Sequence, residues 1–388
     1  MPIAPASKHV KSHSRHILGL DLIRFCSAMM VAIFHLAYWS WAPAESLTKS
    51  VSGGIVRFPG LSHVTWIGWV GVEIFFVLSG FVISYSAEGA SASSFLRSRI
   101  VRLYPAAWIS ATATLSVTIL AGHAGAGTAL EYAKSMALWV DGPWIDGVYW
   151  TLGIEIMFYA SILAVLCIAG SGAIPKLLET LAVWSSLFWF ALAFDRICPR
   201  VLPLVHDVVA SRWSVFLLLR HGCLFAVGGL LWLCLRKQCT AWRLLLIGVC
   251  LLAGFMEIIN SARVDIEYVG DSYTRRAIAG AVWVAAIGAM VGSIHYDRLL
   301  LALLGRAART IQLLGLMTYP IYLLHDVIGA VLLRQASLLG APPLAALTCA
   351  MLAILGGSWI ITRYLEPPIQ RGMRRALSRA GRRSLPAQ

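Results

Sequence analysis

The chain has 388 residues, of which 59% are hydrophobic and only 13% charged. A soluble domain is about half apolar and a quarter charged, so this composition excludes one and calls for an all-α, polytopic transmembrane helical bundle. The formal net charge of +14 fits anionic lipid headgroups better than nucleic acid.

About ten spans of bilayer-crossing length follow one another: 17–41, 64–86, 105–122, 148–170, 177–194, 214–235, 241–260, 276–294, 311–333 and 343–362. A shorter amphipathic piece, 128–140, precedes the fourth and is expected to lie at the interface or re-enter. With a cytoplasmic N-terminus, the segments on that side hold eighteen Lys and Arg and those on the other side ten. This imbalance favours both termini inside, in the cell (inner) membrane. The chain then divides into a basic N-tail (1–16), a membrane domain (17–367) and a basic C-tail (368–388). The run Arg371 to Arg383 reads as a membrane-surface anchor. Lys8, Lys11 and Arg15 look like the start of a signal peptide, but Asp21 and Arg24 interrupt the stretch that follows and no cleavage pattern appears. The eight Cys are scattered, without CxxC or Cys/His metal spacing, so no metal site is expected.

The first span contains Arg24 and His35. A charged or titratable side chain at that depth costs on the order of 3 kcal/mol on insertion scales, so it faces protein and has a task. Eleven residues amount to about three turns plus 20°, with a rise of roughly 16 Å. One helix face therefore carries a permanent cation low and an imidazole high. His35, Glu73, Glu155, Arg220, His221 and His325 all fall inside spans, and their depths place them in the outer half of the bilayer. That layer reads as a polar cavity open to the outside, or as ion pairs that lock helices together.

On the inner side, FLRSRIVRLYP places Arg97, Arg99 and Arg102 just before the third span. Arg99 and Arg102 share a helix face and suit bidentate phosphate binding, although a positive-inside loop has the same look. In GVEIFFVLSGF, Gly80 marks a close approach of either a ligand or another helix. WTLGIEIMFY puts Glu155 and Tyr159 one turn apart. TYPIYLLH carries Tyr319, Tyr322 and His325 at three-residue intervals, with a helix-kinking Pro320 early in the span.

In order, these stretches resemble the integral-membrane acyltransferases of family 3, which acylate glycans, antibiotics and other hydroxylated acceptors. The resemblance runs from Gly19 to about Pro367 and includes GLDLIRF, the Arg24–His35 spacing and the closing Glu366-Pro367. It implies a bundle of about ten helices and an acyl-coenzyme A donor, commonly acetyl-CoA, used as co-substrate with no permanently bound cofactor. It implies an essential arginine and histidine in span one, matched by Arg24 and His35, and paired arginines matched by Arg99 and Arg102. Thr151 stands where serine is more usual.

The expected chemistry is acyl transfer from cytosolic acyl-CoA to a hydroxyl of a cell-surface or lipid-linked polysaccharide. Arg99 and Arg102, with Arg24 deeper, hold the nucleotide. His35 acts as general base, Glu73 or Glu155 orients it, and Tyr319, Tyr322 or His325 is a candidate oxyanion donor. A macrolide-like acceptor is the alternative within the same chemistry. A transporter with an intramembrane proton relay is the alternative of another class, although the repeated halves common in transporters are not evident.

Overall fold

The computed structural model describes residues 17–198, 208, 211–265, 269, 270 and 272–383. The N-tail 1–16 and the last five residues lie outside these. All regular structure among the described residues is helical, as lipid demands when backbone groups must be satisfied within each segment.

Among the described residues, nine helices are long and apolar enough to cross a membrane, and two shorter apolar helices, Gly222–Leu235 and Val327–Leu338, accompany them. The first helix (Leu18–Phe34) packs against the Glu73 helix (Val70–Ala87) and the Tyr322 helix (Ala308–Leu324). It thus lies against the elements that carry Glu73, Tyr319 and Tyr322. Small residues permit the tight approaches. A Cβ at Gly71 would run into Ser27 O, and one at Gly80 into Phe225 O. A Cβ at Gly228 would meet Val77 O. Gly80 therefore serves helix–helix contact, backbone against backbone, as small residues do in membranes.

Three departures from the sequence expectation shape the interior. The first helix ends in a π-turn, His35–Trp39, closed by Ser40 N–H donating to His35 O at 2.8 Å; such turns recur at functional sites. The ninth expected span, 311–333, is not continuous. It stops at Leu324, turns through His325 and Asp326, and restarts at Val327. At the break Asp326 adopts ψ −82°, and the Val327 N–H goes to Asp146 Oδ2 at 3.2 Å instead of to a helical carbonyl. In the third, the chain runs from the last span through a π-turn, Ile361–Leu365, into a helix, Glu366–Arg383, which takes in the first part of the C-tail. Pro367 and Pro368 lack the N–H groups that an α-helix would need there.

The segment between 138 and 148 tucks into the bundle, with Ile145, Asp146 and Val148 buried. The Glu155 helix (Tyr149–Ile168) consequently starts inside the protein, Tyr149 being 1% exposed. Six further residues, about 9 Å, carry Glu155 deeper than a start at the rim would.

Candidate functional site

Two cavities meet inside the bundle. The larger, about 850 Å³, opens at the end where the first helix begins and is lined by Arg24, Arg97, Arg99 and Arg102, together with Glu155, Tyr159 and Tyr319. The smaller, about 430 Å³, lies toward the other end of that helix and is lined by His35, Glu73, Trp150, Arg220, His221, Glu257 and Asp326. Val72 and Tyr322 line both. The Arg24–His35 spacing therefore links one cavity to the other.

In the arginine cavity, the Arg24 guanidinium lies 3.8 Å from Asp21 Oδ1, one helical turn away. Arg99 lies over the rings of Phe95 and Tyr159, at 5.5 and 5.6 Å from their centroids, and its Nε donates to Ser98 Oγ at 3.2 Å, contacts that position the guanidinium beside the cavity. Tyr159 Oη donates to Glu155 Oε1 at 2.7 Å and Ser79 Oγ to the same oxygen at 3.1 Å. Glu155 thus belongs with the arginines and not with the His35 layer where the sequence depth put it. Tyr319 also lines this cavity, its hydroxyl donating to Leu103 O at 3.3 Å.

In the histidine chamber, His35 Nδ1 lies 3.3 Å from Asp326 Oδ1. The pair is within hydrogen-bond reach but lacks its alignment, as catalytic contacts often do before substrate enters. Thr48 Oγ1 donates to the same Asp326 oxygen at 2.6 Å. Asp146, wholly buried, accepts the N–H groups of Val148 (3.1 Å) and Val327 (3.2 Å). Burial pushes the Asp146 carboxyl well above its usual range, and Asp326 beside it pushes the same way. Asp146 lies in the loop outside the spanning helices and pins the helix break that presents Asp326 to His35.

The other predicted residues fall around this core. His325 is fully buried with its ring 4.7 Å from that of His35. Its Nδ1 meets Tyr322 O at 2.8 Å; since a carbonyl only accepts, that nitrogen carries the proton and Nε2 is left as an acceptor. The Tyr322 hydroxyl takes the Thr151 hydroxyl at 3.0 Å, and its ring stands edge-on to Phe75 at 6.1 Å. It forms part of the partition between the two cavities. Glu73 lines the same chamber, in a group with His221 and Glu257 whose ligand-type atoms lie within 4.8 Å of one another.

Sequence reasoning missed Asp326, Asp146, Thr48 and Glu257. Asp326 and Glu257 were detectable, because each interrupts an apolar run at a depth where a carboxylate is costly. Asp146 and Thr48 sit in connecting segments, and only the fold brings them to the site.

The bundle thus sets an arginine-lined cavity, electrostatically suited to an anion, beside a histidine–carboxylate chamber, with Val72 and Tyr322 between them. Comparison with known proteins makes the class specific. The family model for the acyltransferase 3 domain matches residues 17–363, and the chain belongs to that family of membrane acyltransferases. Nodulation protein 10 of Rhizobium leguminosarum bv. viciae is 23% identical over 253 residues, covering 58% of this chain and 60% of that protein. The chain therefore matches somewhat less than two thirds of this relative's length. No solved structure matches.

Proposed function

We propose that the protein transfers an acyl group, acetyl foremost, from acyl-coenzyme A held in the arginine cavity to a hydroxyl of a cell-surface or lipid-linked polysaccharide in the histidine chamber. The observation that carries this reading is the shared partition, where Val72 and Tyr322 line both cavities. A donor bound at one end can present its thioester to an acceptor entering at the other. The arginine end faces the cytosol, where the donor is made, consistent with the excess of Lys and Arg on that side.

The coenzyme's phosphates are held by Arg99 and Arg102, whose guanidinium forks match phosphate oxygens, with Arg24 deeper. The pantetheine arm is extended enough to cover the roughly 16 Å rise from Arg24 to His35. At His35, the Asp326 carboxylate faces Nδ1 and holds the proton there, so Nε2 is the base. Nε2 takes the acceptor's hydroxyl proton as the oxygen attacks the thioester carbonyl. The tetrahedral centre collapses, the C–S bond breaks, and the imidazolium returns its proton to the leaving thiolate. Asp326 stabilises the imidazolium between those steps. Glu73 lines the chamber on the acceptor side and Glu155 braces the donor cavity, so each serves binding and not the orientation of His35. His325, buried with Nε2 unprotonated, lines neither cavity, and Tyr319 and Tyr322 become oxyanion donors only after their hydroxyls leave Leu103 O and Val148 O.

The test is to incubate membranes containing the protein with acetyl-labelled coenzyme A. Coenzyme A release together with labelled glycan, both lost in His35→Ala, supports the reading. Undiminished transfer in His35→Ala overturns the assignment, and solute flux without transfer supports a transporter instead.

A further inference from the structure

The C-terminal helix Glu366–Arg383 is strongly basic, and the fold divides that charge between two faces. Glu366, Gln370, Arg374 and Ser378 are spaced four residues apart, so they share one face; with Leu377 they line the mouth of the arginine cavity. Arg371, Arg375 and Arg379 make the neighbouring stripe and are exposed, but they do not line the cavity. The second stripe suits lipid headgroups. The first has a different surrounding.

The cavity wall holds five arginines, Arg24, Arg97, Arg99, Arg102 and Arg374, against three carboxylates, Asp21, Glu155 and Glu366. Those carboxylates are engaged: Asp21 lies beside Arg24, Glu155 accepts two hydroxyls, and Glu366 Oε1 accepts the Gln370 amide at 2.6 Å. The excess of cations is thus directed at the cavity space. Arg374 is the arginine that the C-terminal helix contributes to this wall, one turn from Ser378, and makes no side-chain hydrogen bond or ion pair with the described residues.

We propose that the C-terminal helix is a wall of the donor site and that Arg374 is the ligand for the outermost phosphate of the coenzyme, the 3′-phosphate of its ADP moiety. This rests on the donor reading above and extends it to an element that lies beyond the stretch matched by the family. The diphosphate, nearer the pantetheine arm, falls to the deeper arginines. Gln370 and Ser378 flank Arg374 on the same face and offer neutral donors to the same group.

The test compares calorimetric binding of coenzyme A and of 3′-dephospho-coenzyme A to the full-length detergent-solubilised protein in three forms: unaltered, Arg374→Ala, and Arg375→Ala as a control for charge on the neighbouring face. The expected result is a roughly tenfold weaker affinity for coenzyme A in Arg374→Ala, typical of one lost charge-assisted contact. Affinity for the dephospho form stays unchanged, and Arg375→Ala binds both as the unaltered protein does. Equal losses for both ligands, equal losses in the two variants, or no loss in Arg374→Ala overturn the proposal while leaving the donor reading intact. An unaltered protein that binds neither ligand overturns the donor reading and this proposal with it.

Discussion

Asp326→Asn isolates what the carboxylate does for His35. The amide has nearly the same volume, still accepts from Thr48, and keeps a polar group at the helix break. What disappears is the negative charge 3.3 Å from Nδ1. Two unit charges at that distance interact by about 5 kcal/mol at an effective dielectric of about 20. The imidazolium spreads its charge over the ring and the His35 side chain is 18% exposed, so the usable part is about 3–5 kcal/mol. This corresponds to a fall in turnover of roughly 10²- to 10⁴-fold. The assay is acetyl transfer to endogenous acceptor in membranes, with coenzyme A affinity measured in parallel on the solubilised protein. The affinity should hold, because the arginines line a different cavity. Turnover within a few-fold of the unaltered protein refutes the argument, and so does a loss that appears only as weakened coenzyme A binding.

Replacing Arg99 and Arg102 together by Ala should raise the KM for acyl-CoA roughly 10²- to 10⁴-fold, each lost charged hydrogen bond costing about 1.5–3 kcal/mol, while turnover at saturating donor changes little; steady-state kinetics separates the two. Asp146 has a raised pKa in the folded state, so its protonated form contributes stability that is fully present below about pH 4 and is lost as pH rises through the folded-state value. Asp146→Asn, which cannot ionise, should flatten that pH dependence in thermal denaturation scans, and an unchanged slope counts against the assignment. Gly228→Val forces a side chain into Val77 O and should cost about 1–3 kcal/mol or more by overpacking, read as a lowered denaturation midpoint.

Much of the architecture was legible because a bilayer leaves few options. Runs of apolar residues of the right length had to be helices, and Arg24, His35, Arg99 and Arg102 stood out as polar residues at or beside those runs. The two cavities were legible only in outline. Glu155 was misplaced in depth because its helix begins on an inserted segment, and no count from a span edge registers that insertion. The break at His325–Asp326 was hidden because the apolar pattern continues through it, and the reason for it lies in Asp146, 181 residues away along the chain. Arg374 looked like one more basic residue in a tail. Its membership of the cavity wall depends on which face of the C-terminal helix turns inward, and that is decided by the packing of this helix against the Arg99 helix (Ala92–Leu120).

The most direct test of the whole account is sidedness. In sealed vesicles of known orientation, membrane-impermeant acetyl-labelled coenzyme A is supplied on the face that exposes Arg99, and acceptor glycan is sampled on the opposite face. The account predicts label on that distant glycan while the coenzyme stays where it was added. Transfer that requires donor and acceptor on one and the same face contradicts it.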